Sequence, residues 1–472
     1  TASYIPWIIL FLFKISKNNN LFNFSIFSLL IGFQLQRGHI QIVYYTWMMI
    51  GLFVLCNNFF LIIKKVYKSI EIIKYNLYIL FSLFIGFLLS MNIYLPVLNY
   101  VSNSTRASHQ GGAGIEYATQ WSMSFNEYLT LFIPSFFGFG GQLYWGDMPF
   151  TDYPNYFGII LFILALLGCF KSKINFQYKT FFLLTIFFSF CLSLGSNFLS
   201  FYKVFYNYFP FFDKFRVPAY ILIILFFSLL VFSSIGLDSI IKKINFNARQ
   251  IILFYSCLLI VLIILLFKYD NFIYLLKTNH QFLYNLLFDD VLKIIVLLSI
   301  FFIIILYKEK INIPLKYFYS IILILCLYDF LRVNKEIISP ENHLPHKKIV
   351  ESNNYIDSYL SKDNVVNFLL TDDSKFRIFD FLGPQNRWST FNLENVGGYH
   401  PAKLNNYNRL LNSLNKKGYS LWPPGILRLL NVKYVVMPYG DFNHDDFRKV
   451  FSGSMNYYGN HFNEFDGKLI PT

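Results

Sequence analysis

PAYILIILFFSLLVFSSIGLDSIIKK runs from Pro218 to Lys243 and carries a single carboxylate, Asp238. Its apolar part, residues 218–241, is long enough for a helix to cross the hydrocarbon core of a bilayer, which takes about 20 residues. The two lysines that end the stretch are typical of a cytoplasmic connection. The stretch therefore predicts a transmembrane helix whose C-terminal end faces the cytoplasm.

Nine other apolar segments accompany this one along the chain. Of the 472 residues, 55% are hydrophobic and 14% are charged, and the mean hydropathy is +0.45. A soluble domain carries about 25% charged residues. We therefore predict a polytopic α-helical membrane domain over residues 1–332. Its ten segments cover residues 3–13, 21–36, 40–63, 75–98, 155–170, 179–199, 218–241, 250–268, 289–307 and 314–332.

The first of these segments, residues 3–13, is about half as long as a bilayer requires. It lies close to Thr1 and lacks the basic n-region and the small-residue cleavage site of a signal peptide. We expect the chain to be an N-terminally truncated fragment that begins inside a transmembrane helix.

The net charge of +14 comes from the membrane domain and reports its topology. Residues 1–332 hold 24 Lys or Arg and 12 Asp or Glu, whereas residues 333–472 hold 16 and 14. Fifteen of the 24 basic residues lie in five short connections, which the positive-inside rule assigns to the cytoplasm. The remaining connections and everything after residue 332 are then extracytoplasmic, and nucleic-acid binding is excluded as the reason for the charge. The five basic connections contain Lys14 and Lys17; Lys64, Lys65, Lys68 and Lys74; Lys171, Lys173 and Lys179; Lys242, Lys243 and Arg249; and Lys308, Lys310 and Lys316.

The outer connection 99–154 contains one apolar stretch, FNEYLTLFIPSFFGF, at residues 125–139. If this stretch crossed the membrane, every later connection would change sides and the lysine groups would face outward. It is also short and contains Pro134 and Gly138. We predict that it forms a re-entrant or interfacial helix at the outer surface.

From about residue 333 the composition is that of a soluble domain. Residues 365–370, 375–381 and 432–438 have the β-branched and aromatic content of strands, and residues 349–360 and 402–414 have the pattern of helices. We predict a small extracytoplasmic α/β or α+β domain over residues 333–472, and we expect it to be incomplete.

Familiar catalytic and metal-binding motifs are absent from the sequence. All five cysteines lie scattered in apolar segments, so neither a disulfide framework nor a metal site is indicated. The chain also has no P-loop, HExxH helix, CxxC pair or nucleophile elbow. The candidate residues therefore come from four polar stretches on the predicted outer face.

The first stretch, QLQRGHIQIVYYTW, places Arg37 and His39 at a tight turn between two membrane helices. A charged arginine at the membrane edge must pair or reach the interface. We consider contact with a phosphate or a sugar hydroxyl, and, as the alternative, a purely interfacial anchor.

The second stretch, STRASHQGGAGIEYATQWSM, gathers Arg106, Glu116, Tyr117 and Trp121 around three glycines. Glycines allow close approach of the backbone to a ligand. A substrate-binding loop and a flexible surface loop are both compatible with this composition.

The third stretch, FPFFDKFRVPAY, places Asp213, Lys214 and Arg216 among aromatic residues just before the predicted helix at 218–241. Basic side chains at a bilayer edge suit an anionic lipid phosphate. An aromatic belt with anchoring charges is the equal alternative.

The fourth stretch, NLENVGGYHPAKLNNYNRL, contains Tyr399 and His400 in a loop that precedes a predicted helix. A structural turn is the favoured interpretation. A substrate-binding role requires the extracytoplasmic domain to bring this loop to the membrane face.

These four stretches resemble those of the YfhO family of bacterial membrane proteins, and they occur in the family's order over nearly the whole chain. The matching strings are GHIQIVYYT, STRA, EYATQWSM, LFIPSFFG, FPFFDKFRVPA, ENVGGYHPAKLNNYN and LLNVKYVV. The resemblance implies a GT-C-like glycosyltransferase fold in the bacterial cytoplasmic membrane. It also implies a polyprenyl-phosphate-linked sugar donor and an envelope glycan or lipid as acceptor.

GT-C enzymes carry an essential aspartate in their first outer loop, which the resemblance places before Thr1. The catalytic base is therefore unknown within this chain. A divalent metal would be compatible with such chemistry, but no metal-binding residues are identified. The alternatives are a transporter or flippase of a lipid-linked envelope intermediate, and a non-catalytic scaffold in envelope assembly.

Overall fold

The computed structural model describes residues 1–18, 20–63, 69–105, 114–171, 174–241, 248–274, 280–308, 313–338, 353–381, 386–400, 402–416, 422–437, 446–456 and 470–471. These residues form two compact units. The first, which we call the helical unit, comprises Thr1–Leu98 and Ala113–Val350. The second, the C-terminal unit, comprises Asn99–Gly112 and Glu351–Thr472.

A helix coincides with each of the ten apolar segments, and six helices are long and apolar enough to cross a membrane, as judged by length and composition among the described residues. These six cover Ile40–Ile63, Ile70–Leu88, Phe176–Ser193, Pro218–Ile241, Arg249–Tyr269 and Gln281–Tyr307. The helices up to residue 338 are α1 (Ile5–Lys17), α2 (Leu21–Gln36), α3 (Ile40–Ile63), α4 (Ser69–Leu88), α5 (Met91–Val101), α6 (Ile115–Ala118), α7 (Ile159–Lys171), α8 (Phe176–Ser193), α9 (Leu199–Tyr208), α10 (Leu222–Ile241), α11 (Ala248–Tyr274), α12 (His280–Tyr307) and α13 (Leu315–Ile338).

Close helix packing in this unit depends on glycines. A Cβ on Gly168 of α7 would overlap the Phe232 carbonyl of α10, and a Cβ on Gly236 of α10 would overlap the Leu164 carbonyl of α7. Small residues let two helix backbones approach closely, which is a common way to pack helices in membranes. The pair α7 and α10 is therefore locked by reciprocal glycines.

Three details of the helical unit differ from the predicted pattern. The segment predicted at 75–98 is two helices, α4 and α5, with a break at Leu89–Ser90. The predicted connection 200–217 contains α9, which the sequence pattern did not reveal. Helix α13 continues to Ile338, six residues beyond the predicted end of the last apolar segment.

The segment predicted as a re-entrant or interfacial helix at 125–139 is helical only in its first part. A 3-10 helix covers only Asn126–Leu131, and turns follow it through Phe139. Pro134 has no amide hydrogen, and Gly138 has a left-handed φ of +83°, so an α-helix cannot continue. Ile133, Phe136 and Phe137 are buried with α7 and α12. Irregular backbone is tolerated at membrane depth where protein covers it.

The C-terminal unit contains a parallel three-stranded sheet with the strand order β2-β1-β3, which agrees with the α/β alternative. The strands predicted at 375–381 and 432–438 are confirmed, as are helices within 349–360 and 402–414. The elements are α14 (Asn353–Leu360), α15 (Asn364–Leu369), β1 (Arg377–Asp380), β2 (Glu394–Asn395), α16 (Asn405–Lys416), α17 (Pro424–Leu429), β3 (Val432–Val436), β4 (Ser452–Gly453) and β5 (Ile470–Pro471).

The strand predicted at 365–370 is instead the helix α15. Its N-terminus is capped by Asp363, whose carboxylate accepts a hydrogen bond from Val366 N at 2.8 Å. Val365, Val366 and Leu369 then fall on one buried helix face. The cap outweighs the β propensity of the two valines.

Part of the predicted outer loop 99–154 belongs to the C-terminal unit. Ser104 and Leu404 form an antiparallel bridge, and Thr105 N donates to Lys403 O at 2.9 Å. Tyr100 Oη donates to Ala402 O at 2.6 Å. The segment at 99–105 is thus bound to the middle of the fourth motif stretch.

Candidate functional site

Arg216 lies at the centre of a cluster built from three of the four motif stretches. Its guanidinium carbon is 4.2 Å from the centroid of the Tyr117 ring and 4.4 Å from that of Trp121. Its Nη1 donates to Tyr117 Oη at 3.1 Å, and its Nη2 donates to Gln120 Oε1. Contacts of this kind between a cation and an aromatic ring are worth about 0.5–2 kcal/mol, more where water is excluded.

The charge of this guanidinium is not neutralised within the described part of the chain. Its hydrogen-bond partners are a phenol and an amide, both neutral. The adjacent carboxylate, Asp213 Oδ2, instead lies 2.5 Å from Lys214 Nζ. Arg216 Nε is buried and has no hydrogen-bond acceptor among the described residues. A buried donor without an acceptor costs about 1–3 kcal/mol, so the cluster is suited to an anion.

Two strained backbone positions shape the cluster. Trp121 has a φ of +59° and Val217 a φ of +61°, both in the left-handed region. A bulky or β-branched side chain adopts this conformation rarely, and it costs on the order of 1–3 kcal/mol. Such strain persists only where surrounding contacts hold it, and it is commonest at functional sites.

The contact that holds Val217 comes from the first motif stretch. Gln41 Nε2 donates to Arg216 O at 2.6 Å and to Val217 O at 3.3 Å. The His39 ring, two residues earlier, meets the Tyr220 ring edge to face at 5.3 Å. Burial lowers the pKa of His39, so the imidazole is neutral at pH 7.

A largely apolar cavity of about 700 Å³ lies next to this cluster, between α3, α4 and α8. Gln41 Nε2 also donates to Tyr45 Oη at 2.8 Å, and Tyr45 lines the cavity. One amide therefore contacts both the cavity wall and the Arg216 backbone. Two other lining residues, Trp47 and Asn76, each carry a buried polar atom without a partner among the described residues.

The structure brings some predicted site residues together and leaves others apart. Tyr117, Trp121 and Arg216 meet directly, whereas Asp213 and Lys214 pair with each other beside them. Arg37 follows α2 and is exposed, and Glu116 is exposed on α6. Neither is among the partners of Arg216, so their substrate-binding roles stay predictions.

Three predicted residues fall elsewhere. Arg106 lies outside the described residues. Tyr399 and His400 belong to the C-terminal unit, where Asn386 bonds both the N–H and the carbonyl of Tyr399 and leaves its side chain 67% exposed. His400 Nδ1 accepts a hydrogen bond from Ala402 N at 3.2 Å. Their contribution to a site in the helical unit stays a prediction.

Gln120 and Glu127 are two contributors that were not among the predicted site residues. Gln120 orients Arg216, but a single amide in a loop has no recognisable pattern. Glu127 is 1% exposed, and burial raises its pKa above the ordinary value for a glutamate. Its carboxylate accepts hydrogen bonds from Ser124 N, Met148 N and Tyr144 Oη. Burial likewise raises the pKa of Tyr144.

A second buried polar cluster joins α12, α13 and the segment before α7. Arg332 Nη1 is 3.0 Å from Asp290 Oδ1, and its Nε is 3.2 Å from Asp329 Oδ1. Tyr156 Oη donates to Asp329 Oδ1 at 2.6 Å and accepts from Arg332 Nη2 at 2.9 Å. The second carboxylate oxygen of each aspartate accepts a hydrogen bond from a backbone amide, Asp290 Oδ2 from Ser135 N and Asp329 Oδ2 from Ile159 N. Each of these groups is satisfied, so the cluster functions as a structural lock.

The described residues contain no group of three or more His, Cys, Asp or Glu side chains that could hold a metal ion. The described residues define the class as a mostly helical protein with six potential membrane-spanning helices and a small C-terminal sheet region. Comparisons with protein-family models, with curated proteins and with solved structures find no match for this chain. The resemblance to the YfhO family stays a prediction.

Proposed function

We propose that the chain is a membrane glycosyltransferase of GT-C type. It moves a sugar from a polyprenyl-phosphate-linked donor to a cell-envelope polymer or lipid, on the outer face of a bacterial cytoplasmic membrane. One observation carries the proposal. Arg216 has no carboxylate partner among the described residues, and its guanidinium lies against two aromatic rings, next to an apolar cavity of about 700 Å³.

The pairing of a cationic site with an apolar cavity suits a ligand that has both an anionic head and a hydrocarbon chain. A guanidinium binds phosphate oxygens through short, charge-assisted hydrogen bonds. Arg216 Nε has no acceptor in the part of the chain that the structure describes, and Tyr117 and Gln120 orient the other two nitrogens. The lipid chain of the donor then occupies the cavity.

The chemistry follows from holding the phosphate in this way. The acceptor hydroxyl gives its proton to a general base, which is not identified within this chain, and attacks the anomeric carbon. The bond between that carbon and the phosphate oxygen breaks, and the phosphate leaves with the electron pair. Negative charge therefore develops where Arg216 lies. A cation placed at developing charge stabilises the transition state more than the ground state.

The direct test measures sugar transfer from a polyprenyl-phosphate-sugar by the full-length protein in proteoliposomes. Arg216→Ala should lower the rate by roughly 100-fold or more, the usual effect of losing one stabilising donor. Arg216→Lys should recover little, because lysine keeps the charge but not the planar fork. Lys203→Ala, which removes an exposed cation from α9, is the matched control. Unchanged transfer by Arg216→Ala would refute the proposal.

A transporter or flippase of a lipid-linked intermediate is the second candidate. It is favoured by the break between α4 and α5 and by the buried charges of Asp290, Asp329 and Arg332, since broken helices and buried charges are common in transporters. The test follows movement of a fluorescent polyprenyl-phosphate-sugar between leaflets in the absence of acceptor. Translocation that persists in Arg216→Ala and stops in the Asp290→Asn, Asp329→Asn double variant would favour transport over transfer.

A further inference from the structure

Glu127 is a buried carboxylate outside the cluster of side chains that contact Arg216. Its Oε2 accepts a hydrogen bond from Ser124 N at 3.0 Å. Its Oε1 accepts one from Met148 N at 3.4 Å and another from the Tyr144 hydroxyl. No Lys or Arg among the described residues forms an ion pair with it, and Asp147, a carboxylate close enough to interact with it, is exposed. Three hydrogen bonds from two separate lengths of chain therefore converge on one side chain.

Those two lengths of chain are residues 121–127 and 144–150, and they are joined at both ends. Glu127 joins them at one end. At the other end Trp121 Nε1 donates to Phe150 O at 2.8 Å, and the two rings meet edge to face at 5.1 Å. The indole that covers Arg216 is thus fixed by a segment that Glu127 holds in place.

The Glu127 carboxylate is closely packed by the chain around it. A Cβ on Gly146 would come within 2.6 Å of Glu127 Oε1. Met148 is buried with Met123 and with Leu222 and Leu225 at the start of α10. Helix α10 begins six residues after Arg216, so the paired segments pack against the N-terminal end of the helix that follows the guanidinium.

Trp121 needs such support because its backbone is strained. With a φ of +59° the residue lies in the left-handed region, where an aromatic side chain is disfavoured. Without external contacts the backbone would relax to negative φ and carry the indole away from Arg216.

We propose that Glu127 is a positioning residue for the Arg216 site: its carboxylate holds segment 144–150 against segment 121–127 and so keeps the Trp121 indole on the guanidinium. The identity of the ligand rests on the proposed glycosyltransferase function. The positioning itself is a property of the fold and is measured separately.

The experiment compares Glu127→Ala and Glu127→Gln with a matched control, Asp147→Asn, in the full chain in nanodiscs. Hydrogen exchange of the amides in segments 114–127 and 144–150 reports the positioning. Binding of geranylgeranyl monophosphate, a lipid phosphate without a sugar, reports the site. We expect Glu127→Ala to raise exchange in both segments and to weaken probe binding by about tenfold, or about 1.4 kcal/mol. Asp147→Asn should change neither.

A double-mutant cycle tests whether Glu127 acts through Trp121. Trp121→Phe removes the indole N–H that bonds Phe150 O, so its effect on probe binding and that of Glu127→Ala should overlap rather than add. Glu127→Gln keeps the side-chain volume and tests the same point if the alanine variant does not fold. Unchanged exchange in both Glu127 variants, or strictly additive losses, would overturn the inference. Raised exchange together with probe binding that ignores Arg216→Ala supports the positioning role and refutes the proposed function.

Discussion

Removal of Arg332 is the most demanding test of the structural lock in the helical unit. The side chains of Asp290 and Asp329 are 12% and 2% exposed, and Arg332 is the basic partner of both among the described residues. Arg332→Leu would leave two buried carboxylates with only neutral donors. Removing one partner of a buried ion pair costs about 3–5 kcal/mol. We expect the free energy of unfolding to fall by that amount.

Two controls separate the charge effect from loss of packing. Lys335→Ala removes an exposed cation one turn further along α13 and should change stability by less than about 0.5 kcal/mol. Adding Asp290→Asn and Asp329→Asn to Arg332→Leu removes the buried charges while keeping acceptors for Ser135 N and Ile159 N. This triple variant should recover at least half of the lost stability.

The assay is equilibrium unfolding of the purified protein in mixed micelles with increasing SDS, followed by circular dichroism. The reasoning would be refuted if Arg332→Leu were no less stable than Lys335→Ala. It would also be refuted if the triple variant were less stable than Arg332→Leu, because the carboxylate charges would then not be the source of the loss.

Three further predictions concern other parts of the molecule. Gly236→Val should separate α7 from α10, because its Cβ overlaps the Leu164 carbonyl, and should lower the melting temperature by at least 5 °C. The control Gly51→Val, on α3 with no atom near its Cβ, should lower it by less than that. Burial raises the pKa of Glu127 above its ordinary value of 4.5, so this residue stabilises the fold most below pH 4.5 and loses that effect as the pH rises through the folded-state pKa. Melting temperatures measured between pH 4 and 8 should therefore fall less with rising pH in Glu127→Gln than in the unmodified protein. Arg387→Met should destabilise the C-terminal unit by about 3–5 kcal/mol, because it leaves the buried Asp363 carboxylate, 2.7 Å from Arg387, without its ion-pair partner. Urea unfolding of the full chain, followed by hydrogen exchange of the amides in that unit, should detect the loss.

The apolar runs were sufficient to predict where helices form, because burial in lipid or protein needs long uninterrupted hydrophobic stretches. They did not predict how the helices end. The break after Leu88 and the extension of α13 to Ile338 depend on local capping and on charged residues that protein covers. The failure at 365–370 has the same origin, since the Asp363 cap lies outside the hydrophobic pattern.

The site was partly predictable for a different reason. Tyr117, Trp121 and Arg216 stand out as aromatic and basic residues at the edges of apolar runs, and the structure brings them together. Gln120 and Glu127 have no such signal, because their roles depend on partners that only the folded chain supplies. The pairing of Arg332 with Asp290, across 42 residues, is invisible for the same reason.

The bridge between Ser104 and Leu404 has a consequence for biosynthesis. The C-terminal unit includes a strip of chain made some 300 residues before the rest of it, as the bond from Tyr100 to Ala402 shows. During synthesis the six predicted apolar segments between residues 155 and 332 are made after this strip and before its partner, so the strip cannot form these bonds until residue 404 has been made. A version of this unit that began at residue 351 would therefore lack the bridge, and we expect a peptide of residues 99–105 to restore it.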